Sequence, residues 1–357
     1  MHPAAFSPSR GCGFAGYADS VIGRRALLGV AALATLLTGC GQATASVPSP
    51  SPPASVVAPS PSPRPTPSPS PPQRLEAPLP RPVEETAAAV ADGKLYVMGG
   101  FDAAGNSLDS VFVFDGMSWQ SGPALPLRLD HPSAATLDGQ IYIAGGHSNG
   151  SDSAKLFRLD GDHWSPLTSM KFPRGGHALV AAQGHLYAIG GNTNRGNVDT
   201  VESYDPAANM WTPVVSMPTP RNHLSGFLFG TSICVAGGRS PTTDRVDCLD
   251  PVHDTWSSLP KLPRPTSGGG ATAFFGGGAV MLGGQNARET AIVDQLTHYS
   301  PAAGWTTGET MLVPRHGFQL AVFEGRAWAC GGATAPGLNP VDTCTSIANP
   351  APVQRAR

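Results

Sequence analysis

Residues 177–221 read HALVAAQGHLYAIGGNTNRGNVDTVESYDPAANMWTPVVSMPTPR, and this stretch decides the fold. His177 to Ala182 is an apolar run. Gln183-Gly184 makes a tight hairpin turn, and Leu186 to Ile189 is a second run ending in Gly190-Gly191, where positive φ can stop a strand. After a polar loop, Val201-Glu202-Ser203-Tyr204 alternates as a third strand and Asp205-Pro206 turns the chain. Trp211 to Val215 forms the fourth, and Met217-Pro218-Thr219-Pro220-Arg221 leads onward. The stretch predicts four short strands in one antiparallel sheet.

Outward from it the pattern recurs. Gly-Gly pairs begin at Gly99, Gly145, Gly190, Gly237, Gly283 and Gly331, at intervals of 46, 45, 47, 46 and 48 residues. Tryptophan follows in five units, at Trp119, Trp164, Trp211, Trp256 and Trp305. Three residues before each pair stand Tyr96, Tyr142, Tyr187, Cys234, Val280 and Trp328. A fixed period of this length marks a repeat architecture, and leucine-rich solenoids have a much shorter one.

The joint motif, apolar-Gly-Gly, Tyr-Asp-Pro, Trp, then Met-Pro-x-Pro-Arg, resembles the Kelch repeat over about residues 74–349. The tyrosine position holds Tyr204 and Tyr299 in two units and Leu249 in the fourth. The resemblance implies an all-β, six-bladed β-propeller. The sixth unit ends after Val341 to Ile347 without a fourth strand. Leu75 to Pro82 resembles Leu259 to Pro265, the tail of the fourth unit. Residues around Arg74 to Pro78 are therefore expected to complete the last blade and close the ring.

The rest of the chain reads differently. Gly23 to Leu37 joins Arg24-Arg25 to an apolar run and ends in Leu37-Thr38-Gly39-Cys40, which resembles a lipoprotein signal peptide with Cys40 as the lipidated residue. The run from Ala26 to Gly39 is shorter than the roughly 20 residues of a spanning helix. A simple secreted product is the alternative, and the paired arginines fit either a twin-arginine or an ordinary export signal. Residues 1–20 are long for a leader start, so translation is also compatible with a start near Val21, which would omit Cys12. Residues 41–73, almost wholly Pro, Ser, Ala, Val and Thr, read as a disordered spacer, and 350–357 as a tail. The resulting expectation is an exported protein, lipid-anchored on the outer side of a bacterial cytoplasmic membrane or in the envelope.

Across 357 residues, 43 are Gly and 37 Pro, only 13% are charged and the net charge is -2. This balance gives no electrostatic reason for a nucleic-acid partner. Cys-x-x-Cys and His-Glu-x-x-His are absent from the sequence, so neither a metal nor a cofactor is expected, and catalytic residues stay unassigned. Galactose oxidase pairs a Kelch-type propeller with copper but draws on a further C-terminal domain, which is not expected here. Bacterial sialic-acid mutarotases are similar in plan, as exported six-bladed Kelch propellers.

An arginine stands near the start of every unit: Arg81, Arg128, Arg174, Arg221, Arg264 and Arg315. The resemblance implies that it braces neighbouring loops. It also implies that the loop into each blade and the loop after Gly-Gly share one face around the channel. That face would carry His147, Asn192, Asn222, His223, Arg239, Gln285 and His316 as ligand-binding candidates, suited to sugars or anions. Cys234 with Cys248 and Cys330 with Cys344, each 14 residues apart in equivalent cross-strand registers, are expected as disulfides in an exported chain. The expected function is a surface-displayed recognition module for a glycan, peptide or protein. A carbohydrate-active enzyme such as a mutarotase and a structural envelope protein are the alternatives.

Overall fold

A computed structural model describes residues 72–274 and 277–348. Cys40, the leader, the spacer as far as residue 71 and the tail lie outside the described residues.

The described chain is all-β and forms a six-bladed Kelch-type propeller of antiparallel four-stranded sheets. The third blade comprises Ala178–Ala182, His185–Ile189, Val201–Asp205 and Met210–Val214, within a residue of the sequence reading at nearly every boundary. In the sixth, Ala321–Phe323, Arg326–Cys330 and Cys344–Ala348 are joined on the outer edge by Gln73–Glu76, which pairs antiparallel with Cys344–Ala348. An N-terminal strand thus closes the ring. Pairing removes the unsatisfied edge that a three-stranded last blade would expose.

The core is divided among the seams between blades. Leu95, Phe112, Trp328 and Cys330 pack between the sixth and first blades, and Ile143, Phe157, Leu129 and Met98 between the first and second. Corresponding clusters fill the other seams. Strands nearest the axis are built of small residues, as in Ala87–Ala91 (AAAVA) and Ala178–Ala182 (ALVAA), because six sheets converge there with little room.

Repeated polar contacts hold the seams. The indole N–H of Trp119, Trp164, Trp211 and Trp256 donates to the carbonyls of Ala77, Pro123, Thr168 and Val215, reaching back to the preceding connection. In each Gly-Gly pair the second N–H donates to the lead-in carbonyl of the next blade. Gly100 reaches Leu129, Gly146 reaches Arg174, Gly191 reaches Arg221, Gly238 reaches Thr266, Gly284 reaches Arg315, and Gly332 returns to Val83. A Cβ on Gly237 would sit 2.2 Å from the Thr266 oxygen, which is why the approach demands glycine.

These bonds fix which residues are equivalent, and they correct the arginine series. The structural position is held by Val83, Leu129, Arg174, Arg221, Thr266 and Arg315. Arg81 and Arg264 fall two residues away from it and Arg128 one, and Arg81 and Arg128 are exposed. Each blade solves the same burial with a different pair. Arg174 bonds the Gly190 and Thr200 carbonyls and Glu202, while Arg221 bonds Val235, Gly237 and Asp247. Val83 shares an apolar cluster with Phe112, and Leu129 shares one with Phe157. Arg315 meets Gly331 and Thr343 without a carboxylate, and burial pushes its guanidinium down to about 10.

Both expected disulfides are present, linking Cys234 to Cys248 and Cys330 to Cys344. Each pair is directly opposite in register on neighbouring strands.

Candidate functional site

Two residues after the buried lead-in position, the chain reaches the axis. Glu85, His131, Gly176, His223, Gly268 and Gly317 hold this place in the six blades, all with positive φ between 50° and 70°. Their backbones form a closed cycle. Each N–H donates to the carbonyl of the previous member: His131 to Glu85, Gly176 to His131, His223 to Gly176, Gly268 to His223, Gly317 to Gly268 and Glu85 to Gly317, at 2.6–3.0 Å. Glycine adopts this conformation freely, whereas Glu and His do so at a cost, so a non-glycine here points to a use for the side chain.

Around this inner ring lie two others, paired with each other. Asp130 bridges to His147, Gly175 to Asn192, Asn222 to Arg239, Ser267 to Gln285, and His316 to Ala333. The structure therefore gathers the sequence candidates on one face, but at different radii. His223 belongs to the inner ring, Asn222 and His316 to the middle one, and His147, Asn192, Arg239 and Gln285 to the outer one. A pocket partly open to solvent has Glu85, His131, His177, His223 and Gly268 among its lining residues. Deeper in the channel, Gln319 accepts from the Ala88 and Ala134 amides and donates to the Ala134 carbonyl, tying the sixth blade to the first two.

The polar groups are coupled. Asp130, buried, accepts from the Ser107 hydroxyl at 2.6 Å and holds His131 Nδ1 at 2.7 Å. Asn222 Oδ1 accepts from His223 Nδ1 and from Arg239 Nε, while its amide donates to Asn197. Arg239 Nη2 lies 2.8 Å from His223 Nε2, and its other arm meets Glu289 at 3.2 Å. His147 is oriented by Asp152.

Burial and charge then divide the histidines. Burial lowers His131, but the carboxylates of Glu85 and Asp130 outweigh it and leave the imidazole raised. His223 is held well below the ordinary value by burial, reinforced by Arg239, His131, His316 and His147. His177 is pushed down to about 3 by burial, with Arg174 and His147 adding to it. Burial raises Glu84 to about 7 against the Asn339 amide that bonds its carboxylate.

Sequence reasoning missed Glu85, Asp130 and His131. The signal was available: the inner-ring residue stands fourteen before the first glycine of the pair in five units and fifteen before it in the fifth. Among the described residues, Glu85, His131 and His223 also form a group whose ligand atoms all lie within 4.8 Å of one another. No metal was expected from sequence motifs because these three come from three different blades.

Comparison with known proteins agrees with the fold. Residues 70–238 match the family described as the KLHDC2/KLHL20/DRC7 Kelch-repeats domain. Beta-scruin of Limulus polyphemus is 27% identical over 52% of this chain and 22% of its own length. The Kelch-like protein terF of Aspergillus terreus is 26% identical over 74% of this chain and 53% of its own. The chain thus spans about a fifth to a half of these relatives. A solved structure, that of YjhT, superposes with a TM-score of 0.67 at 17% identity, covering 77% of this chain and 97% of that one, which speaks for the fold alone.

Proposed function

We propose that this chain is a recognition module, exported and lipid-anchored through Cys40, that binds a glycan, peptide or protein partner at the face carrying the three rings. The observation that carries the reading is convergence. Side chains far apart in sequence converge on one face: Glu85, His131 and His223 line the pocket, and Asn222 and Arg239 hold His223 from the rings around it. Arg239 suits a carboxylate or a sugar hydroxyl pair, because its guanidinium can offer two parallel donors once it turns from His223. Expectation for a partner therefore falls on acidic or hydroxyl-rich groups rather than on apolar ones.

The test uses the full chain, produced in an exporting host, against a panel of neutral and acidic saccharides and an envelope-protein crosslinking screen. Binding should fall at least tenfold in Arg239→Ala at unchanged melting temperature. Full affinity in that variant, or crosslinks confined to the outer blade edges, would reject the face. Conversion of a bound sugar would move the reading to an enzyme. Replacing Cys40 by Ala should release the protein from membranes and abolish labelling by a fatty-acid analogue, and unchanged retention would reject the anchor.

A further inference from the structure

We propose that Glu85, His131 and His223 form a site for a divalent first-row transition ion, of which zinc is the natural probe, at the axis of the propeller. The site shares Glu85 and His223 with the face proposed above, but an ion there does not depend on which partner that face takes.

Three observations converge on it. The first is ligand chemistry: two imidazoles and one carboxylate suit Zn²⁺, Fe²⁺ or their neighbours, and their ligand atoms are mutually within 4.8 Å. Glu85 Oε2 lies 3.6 Å from His131 Nε2, and Glu85 Oε1 lies 3.7 Å from His223 Nε2. Metal bonds of about 2.0–2.1 Å at tetrahedral angles separate ligand atoms by about 3.3 Å, so the two Glu85 contacts need a contraction of a few tenths of an ångström and the widest pair in the group one of up to about 1.5 Å.

The second is the outer support. Metal-binding imidazoles characteristically hand their other nitrogen to a carboxylate or carbonyl, which fixes the tautomer and the ring plane. Here Asp130 takes Nδ1 of His131 and is itself held by Ser107, while the Asn222 carbonyl oxygen takes Nδ1 of His223. Both Nε2 lone pairs are thereby turned toward Glu85. His316 repeats the arrangement in mirror form. Its Nε2 is 3.1 Å from the Ala335 carbonyl, which can only accept, and its Nδ1 faces Glu85 Oε1 at 3.8 Å.

The third is backbone placement. All three residues sit in the positive-φ cycle, an unfavourable conformation for Glu and His that is explained if their side chains must point to one spot. The remaining ring positions are glycines, and at Gly268 a built Cβ would meet its nearest neighbours at 3.8 Å, ordinary van der Waals contact.

Arg239 is the competitor. Its Nη2 is 2.8 Å from His223 Nε2, where the ion would bind, but it retains Asn222 and Glu289 as partners when it turns away. Metal and guanidinium therefore exclude one another at this nitrogen.

The experiment is calorimetric titration of the metal-stripped full chain with Zn²⁺ alone. One equivalent should bind saturably. His131→Asn and His223→Asn, chosen because Asn tolerates the left-handed backbone, should each weaken binding at least tenfold with circular dichroism and melting unchanged. Asp130→Asn should weaken it about 10- to 100-fold by releasing the His131 ring. Arg239→Gln should leave affinity equal or raise it, the opposite of its effect on a partner at the face. Absence of a saturable equivalent, or equal affinity in both histidine variants, would overturn the site.

Discussion

Gln73 and Ile347 are register partners across the outer edge of the sixth blade, so the two ends of the folded chain share one strand pair. Gln73 also donates to the Thr310 carbonyl and accepts from the Leu312 amide, fastening that edge to the fifth blade. Deleting residues 72–78 removes these bonds and the Ala77 acceptor of Trp119. The shortened chain should lose several kcal/mol, read as a lower urea midpoint. An unchanged midpoint would mean that closure resides in the inner cycle.

In the exported protein proposed above, the disulfides should be fully formed. Each closes a short loop, so replacing Cys234 and Cys248 together by Ser is expected to cost about 2–4 kcal/mol. Thiol labelling of unreduced protein should find none of the four cysteines free. Quantitative labelling at Cys330 and Cys344 would contradict the pairing.

His177 gives the fold an acid sensitivity. Buried, with neither ring nitrogen bonded to a partner, it titrates near 3 in the folded chain and near 6.5 when unfolded. Protons therefore bind the unfolded state preferentially. The contribution is fully present above pH 6.5 and is lost as pH falls toward 3, reaching about 2 kcal/mol at pH 5. His177→Leu should flatten the melting-temperature profile in that window relative to the parent. Parallel profiles would exclude His177 as the source.

Arg174 and Glu202, 2.8 Å apart and almost wholly buried, should behave as a unit. Arg174→Met alone leaves a buried carboxylate with no counter-charge, held by the Lys171 and Phe172 amides, and should cost about 3–5 kcal/mol, whereas Arg174→Met with Glu202→Leu removes the charge but frees those amides and should recover part of the loss. The apolar counterparts Leu129 and Phe157 show that a blade accommodates such a pair. A double-mutant cycle in denaturant measures the coupling, and strict additivity would refute it.

The propeller was legible because Gly-Gly and Trp each perform a repeated physical task, a close carbonyl approach and a backward indole bond, that few residues can replace. The arginines were less legible. Burial at that position is met by an ion pair, an apolar pair or threonine, so proximity in sequence led to Arg81, Arg128 and Arg264 in place of Val83, Leu129 and Thr266. The same slip hid Glu85 and His131. The first two blades have no arginine at the buried position to mark the residues that follow it, whereas in the fourth Arg221 stands directly before Asn222 and His223. Charge coupling such as Asp130 to His131 depends on side-chain direction, and adjacency alone does not state which neighbours share a proton.

Because the axial cycle is made of main-chain bonds alone, any residue that tolerates its positive φ keeps those bonds whatever side chain it bears. Six places are offered to the same volume, three carry functional groups, and three are left blank as glycine. At Gly268 a built Cβ meets its neighbours at 3.8 Å, whereas at Gly176 and Gly317 it would crowd His223 and Glu85 at 3.0 and 2.9 Å, so Gly268 is the place where a further group could be added at the least steric cost. Related chains could thus exchange one chemistry for another by point substitution around an unchanged hub, as a keyboard accepts new keys without a new frame.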